Sequence, residues 1–389
     1  MRSSFTSIQS LVTRCLIILA LCLCLWPSMK IWGQAGEVMR VMQRVDTAHP
    51  QVREVLHHWA DSLTQWRSEG MGIERSGGFF VNTGSIVRDW FAQDDEVIKQ
   101  FPATVMSVEF SEGGWMVRTI FARLDTASRV IVPLGILNAR FRGAVDTAGQ
   151  SNWVLQDAMI DATRGWDTTL VENMVYIHRR GAPLDIQRAK EAPLFCRAIA
   201  ERFGQPIPNN IVICLADGRD ELCRVLGVDY YAFPPQSISF PQAYLIVESS
   251  PETFHPHELV HVVFREFNRA HPILREGLAT LLGGTGIMDF QGALSEYLDA
   301  RSKRTIPSFV ELFTGVRSDQ SDEYVLGAVI CDLVLRLHGR AALLELLRTE
   351  RSSDAMLALS RLLGFDIADR QESLRSFAEA AQKRDAPGR

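Results

Sequence analysis

The stretch "FHPHELVHVVFREFNRAHPILREGLATLLGG", residues 254–284, holds the densest chemistry in this chain. Three of the nine histidines fall between Phe254 and Phe264, and His271 follows soon after. Within it, His257-Glu258-Leu259-Val260-His261 has the form H-E-x-x-H. On a helix, residues four apart share one face, one turn above the other. Two imidazoles placed so can both reach one metal ion at about 2.0–2.1 Å. Glu258 projects beside that position, where it can take a proton from a metal-activated water. Leu259, Val260, Val262 and Val263 are apolar, so the other helix faces can be buried and hold the histidines still. Pro256 lacks an N–H and fits only a first turn, which starts the helix around Thr253–His255.

A catalytic zinc ion needs three protein ligands and one open position. The downstream candidates are Glu266, His271 and Glu276. A third histidine in the pattern H-E-x-x-H-x-x-G-x-x-H is excluded, because Phe264 and Phe267 stand where glycine and histidine are needed. If the first helix runs to about Phe267 and a second starts near Pro272, the two lie antiparallel. Six residues past His261 descend about 9 Å, and four residues into the second helix climb back about 6 Å. That brings Glu276 level with the metal. Glu266 sits too far down the first helix, and His271 falls in the turn as a solvated or capping side chain.

H-E-x-x-H followed on a second helix by E-G-x-A resembles the gluzincin metallopeptidases, the thermolysin-like and aminopeptidase-like clan, and in particular their bacterial peptidase-MA-like branch. The similarity covers roughly Glu172–Leu347 and includes "ENMVYIHRRGAPLD" and "DEYVLGAVICDLVLRLHGRAALLELLR". The resemblance implies a zinc site of His257, His261 and Glu276, with Glu258 as general base and Tyr324 as a donor to the oxyanion. It implies a peptide or protein substrate. Two departures stand out: only fourteen residues separate His261 from Glu276, and Ile273 replaces a tryptophan common three positions before the glutamate.

Upstream of this region, "AYLIVESS" (Ala243–Ser250) reads as a strand, and its place just before the helix suggests an edge on which a peptide could add. Met174–His178 and Asn210–Ala216 are further strands, and Leu184–Phe203 is a helix ended by Gly204. Beyond residue 284, helical periodicity dominates.

The amino-terminal half has another character. Apolar residues Val52, Val55, Leu56, Trp59, Leu63 and Trp66 recur at helical steps through Pro50–Ser68. His57 and His58 on that helix read as exposed or capping side chains. Alternating residues over Ala103–Arg123, broken by Gly113 and Gly114, form a hairpin, and "VIVPLGILNARFRGAV" and "NWVLQDAMI" add strands. A helix followed by a curled antiparallel meander gives an α+β domain, residues 36–166, resembling cystatin-like or nuclear-transport-factor-like folds in element order alone. The expected architecture is therefore α+β: a cone-like first domain, then a mainly helical zincin domain with a small sheet, residues 167–385.

With 389 residues, 47% hydrophobic and 22% charged, the chain is ordinary globular protein. A net charge of −5 with scattered basic residues argues against a nucleic-acid partner. The apolar run Cys15–Trp26, only twelve residues long, is too short to span a membrane and reads as the core of a signal peptide, residues 1–35. Small residues Gly33 and Ala35 mark the cleavage site. Export to the periplasm or medium follows, with an uncleaved membrane anchor as the alternative. Cys196, Cys214, Cys223 and Cys331 are too few and too irregularly spaced for a disulfide scaffold or a cysteine zinc site, and read as small buried hydrophobes. The competing function is a non-catalytic exported binding module with a structural or vestigial zinc site.

Overall fold

The computed structural model describes residues 30–32, 39–68, 101–145, 151–232, 234–286, 288–302, 305–315, 320–367 and 373–384. The apolar run Cys15–Trp26 and the cleavage site lie outside them. Among the described residues no helix is long and apolar enough to cross a membrane. The chain divides into two compact units.

The first unit is built on strands Lys30–Trp32 (β1), Met39–Val41 (β2), Ala103–Ser111 (β3), Gly114–Asp125 (β4), Val130–Val145 (β5) and Ser151–Gln156 (β6). They pair antiparallel except for the parallel β2–β3 contact. Helix α1, Pro50–Ser68, arises where the helical spacing predicts it, with Val52, Val55, Leu56, Trp59 and Leu63 all buried. Trp59 donates its indole N–H to Thr119 Oγ1 at 3.0 Å, and its ring meets Phe141 edge-on. A buried tryptophan thus fills the core and keeps its polar atom bonded. His57 is exposed and His58 partly so.

The β3–β4 hairpin turns on Glu112 and Gly113, both at positive φ, rather than on the glycine pair. That is the primed two-residue turn whose twist matches the strands. Gly114 instead opens β4, where a Cβ would lie 2.6 Å from the Phe141 carbonyl oxygen. The sequence predicts contiguous domains at residues 36–166 and 167–385, whereas the two compact units interleave along the chain. Residues 223–232 return to the first unit, and Val228–Tyr231 (β10 in chain order) pairs antiparallel with β5. Asp229 secures this strand through Arg118 at 2.5 Å and Asn138 at 2.5 Å.

The second unit carries a five-stranded sheet of Asp167–Val171 (β7), Met174–His178 (β8), Ile211–Leu215 (β9), Ser237–Phe240 (β11) and Leu245–Glu248 (β12), in the order β11-β12-β9-β8-β7. The central three are parallel and each edge strand is antiparallel. This order corrects one expectation: among the described residues β12, inside Ala243–Ser250, is an interior strand, and β11 is the edge beside it. The predicted helix Leu184–Phe203 is two helices, Ile186–Ala189 and Glu191–Phe203. Pro193 explains the break, because proline cannot donate to a preceding turn and fits only near a helix start. Gly204 ends the second of them at φ 68°. The four cysteines outside the amino-terminal segment are buried thiols.

Candidate metal centre

The helix Pro256–Val263, called αA here, begins with His255 at the N-cap and Pro256 in the first turn. His255 makes no side-chain cap. Leu259, Val260, Val262 and Val263 are each buried to 2% exposure or less, which leaves one face for His257 and His261. Their ring centroids are 5.1 Å apart. The helix ends sooner than its periodicity suggests, tightening into a 3-10 turn at Arg265–Phe267. The antiparallel helix Pro272–Gly283, αB, starts where Pro272 predicts it and brings Glu276 back to the histidines.

Glycines allow this approach. A Cβ on Gly277 would stand 2.2 Å from the Gly327 carbonyl carbon on the helical segment Gln320–Leu346 (αC), which Gly339 breaks at φ 78°, and one on Gly283 would stand 2.5 Å from the backbone nitrogen of His257. Bare backbone at both places lets αB lie against αC and against the first turn of αA. Gly277→Ala is accordingly expected to cost about 1–3 kcal/mol through overpacking, read from chemical denaturation. An unchanged midpoint would contradict the contact.

Glu276 Oε2 lies 3.3 Å from His257 Nε2 and 3.3 Å from His261 Nε2. His257 Nδ1 sits 2.7 Å from the Gly284 carbonyl oxygen. A carbonyl only accepts, so Nδ1 carries a proton, and Nε2 is the nitrogen that faces Glu276. Arg275 Nε donates to the other Glu276 oxygen, Oε1, at 3.2 Å. Among the described residues, His257, His261 and Glu276 are the one group able to hold a metal. Of the other ligand candidates, Glu266 is exposed on the 3-10 turn. His271 is not solvated, and although it stands at the N-cap of αB its side chain makes no cap bond: it is 7% exposed, 3.1 Å from Ser352 Oγ and 4.9 Å from the Phe313 ring. Burial lowers its pKa to about 4.

Burial depresses His257, but the Glu276 hydrogen bond and the charges of Glu258 and Glu276 outweigh it and raise the imidazole to about 9. Burial raises Glu276, yet the positive charge of His261 and the bonds from both imidazoles hold it well below the usual carboxylate range. This is a carboxylate poised among groups that favour positive charge beside it. Burial likewise opposes ionisation of Glu258, and the two imidazoles with the Ser239 and Ser237 hydroxyls reverse that and lower its pKa.

Sequence reasoning missed these serines. Ser237 and Ser239 alternate on β11, so both face the same side, and Ser237 Oγ donates to Glu258 Oε1 at 2.7 Å. Opposite Ser237 in register stands Glu248, which is 2% exposed, with His255 Nδ1 3.2 Å from its Oε1. Burial and the nearby Glu258 push Glu248 well above the ordinary range. Of two neighbouring carboxyls, Glu258 is therefore the one that ionises. Tyr324, on the first turns of αC, sets its ring edge-on to His257 at 5.5 Å. The start of αC is held by Asp322, wholly buried, which accepts from Tyr297 at 2.5 Å and from Arg301 at 3.0 Å.

No family model and no curated protein matches the sequence. Solved structures similar to it include a two-domain M1 zinc metallopeptidase variant bound to L-tryptophan: 14% identity, 71% of this chain and 62% of that one, TM-score 0.33. An M1 zinc metallopeptidase from Deinococcus radiodurans shows 15% identity over 72% of this chain and 60% of its own, TM-score 0.32. Legionella pneumophila aminopeptidase A in complex with aspartic acid shows 13% identity over 70% of this chain and 38% of its own, TM-score 0.33. The chain thus spans about three fifths of the first two. Overlap this loose assigns neither fold nor activity.

Proposed function

We propose that this chain is an exported zinc-dependent metallopeptidase, with His257, His261 and Glu276 as ligands and Glu258 as general base. The observation that carries the proposal is the pair of 3.3 Å separations from one Glu276 oxygen to both imidazole nitrogens. Ligand atoms about 2.0–2.1 Å from a tetrahedral zinc ion stand about 3.3 Å from one another, and both Glu276–imidazole separations suit the ion, with all three donor atoms within 4.8 Å of one another. A set of three ligands suits a catalytic rather than a structural zinc site, which is usually closed by four. Export rests on the apolar segment Cys15–Trp26.

Zinc bound there would supply a Lewis acid for a peptide carbonyl and lower the pKa of water. Glu258, ionised and fixed at Oε1 by Ser237, takes the proton from the attacking water and returns it to the leaving amine. The peptide adds to the outer edge of β11, the strand that carries Ser237, through main-chain hydrogen bonds. The Tyr324 hydroxyl donates to the oxyanion formed from the carbonyl. Tyr324→Phe should therefore lower kcat about 10²-fold with zinc content and KM little changed. Wild-type kcat in that variant would remove Tyr324 from the reaction.

Peptide-library cleavage by the purified chain, before and after chelation, tests the function. Cleavage lost to the chelator and restored by zinc is the expected result. A zinc-loaded chain that cuts no peptide, or one that cuts equally well without metal, would overturn it.

A further inference from the structure

The two oxygens of Glu276 have different partners. Oε2 faces both imidazoles at 3.3 Å, while Oε1 accepts from Arg275 Nε at 3.2 Å. Arg275 is itself anchored, because Nη1 donates to the Asn268 carbonyl at 3.1 Å in the turn between αA and αB. Its side chain is only 15% exposed. The guanidinium thus ties the connecting turn to the third ligand.

We propose that Arg275 is a positioning residue for the metal ligand Glu276, holding Oε1 so that Oε2 alone is offered beside His257 and His261. The inference rests on the metal centre proposed above and not on its use in peptide hydrolysis. A carboxylate with both oxygens free can rotate about its last torsion or present itself in two ways. One fixed by a planar donor cannot, and a lysine cannot imitate the fork that bonds Glu276 and Asn268 together. A cation beside a metal site also repels the ion. Here the carboxylate stands between the two, with Arg275 on one oxygen and the imidazoles on the other, so orientation is the larger effect.

Zinc affinity, measured on the full chain by competition with a chromophoric chelator, tests this without reference to catalysis. Arg275→Met should weaken zinc binding about 10–100-fold, the range for losing the partner that orients a ligand. Arg275→Lys, which restores one donor to Oε1, should fall between methionine and wild type. Unchanged or tighter binding in Arg275→Met would overturn the proposal, as would a lysine variant no better than methionine. Circular dichroism of the metal-free variants checks folding. If Arg275→Met does not fold, Arg275→Gln carries the test, since it keeps an N–H for Oε1 without the charge. Affinity near wild type then supports positioning, and a gain above about tenfold shows that charge governs and overturns it. A wild-type chain that binds zinc but cleaves no peptide ends the hydrolase reading and leaves Arg275 its role. A chain that binds no zinc ends both.

Discussion

Glu258→Gln is expected to lower peptide turnover about 10²–10⁴-fold, the usual contribution of a general base, while zinc content stays at the wild-type level. Glutamine keeps the size of glutamate and an oxygen that accepts from Ser237 Oγ, which stands 2.7 Å from Glu258 Oε1. What it loses is the capacity to take a proton. The burial of Glu258 beside two imidazoles makes the charge specific to this position, since Glu248 in the same cluster is pushed towards its neutral form. The matching substitution Glu248→Gln should consequently be much milder. Parallel steady-state kinetics and metal analysis separate the cases. Turnover retained by Glu258→Gln would remove Glu258 as the base, and lost zinc would recast it as a structural partner of the ligands.

Glu276→Ala should act in the opposite manner, weakening zinc binding by more than about 10²-fold, beyond the range for outer partners, and losing activity only as metal is lost. The two histidines remain one turn apart on αA, but two imidazoles alone leave half of a tetrahedral shell to water. Equilibrium dialysis at fixed zinc reads the change directly. Zinc affinity equal to wild type would eliminate Glu276 as a ligand, whatever happens to turnover. Glu276→Gln, which keeps the side-chain volume between Arg275 and His257, separates a lost ligand from a collapsed helix pair.

Much of this centre is legible in the sequence because helical geometry links spacing to position. Four residues fix the two histidines on one face, Pro256 fixes where αA starts, and Pro272 fixes where αB turns back. The antiparallel return that brings Glu276 to the histidines follows from those starts. The tight 3-10 turn at Arg265–Phe267 does not, because apolar spacing continues through Phe264 and Phe267 without marking the change of pitch. The serines on β11 were hidden for another reason. Ser237 and Ser239 belong to a four-residue strand whose neighbours are set by sheet order, and sheet order is a long-range property that local alternation leaves open. The same gap puts the expected edge on Ala243–Ser250, where the described strands have Ser237–Phe240 at the edge. It also concealed the return of Val228–Tyr231 to the first unit, where pairing with β5 spans about ninety residues of chain. Arg275 is adjacent to Glu276 in sequence, yet its aim at Oε1 depends on the carbonyl of Asn268 in the turn.

The most direct test is a crystal soaked in zinc, with anomalous diffraction recorded on both sides of the zinc absorption edge. The account predicts one strong site, about 2.0–2.1 Å from His257 Nε2, His261 Nε2 and Glu276 Oε2. Anomalous density absent from that position, or a zinc ion bound there without Glu276, would contradict it.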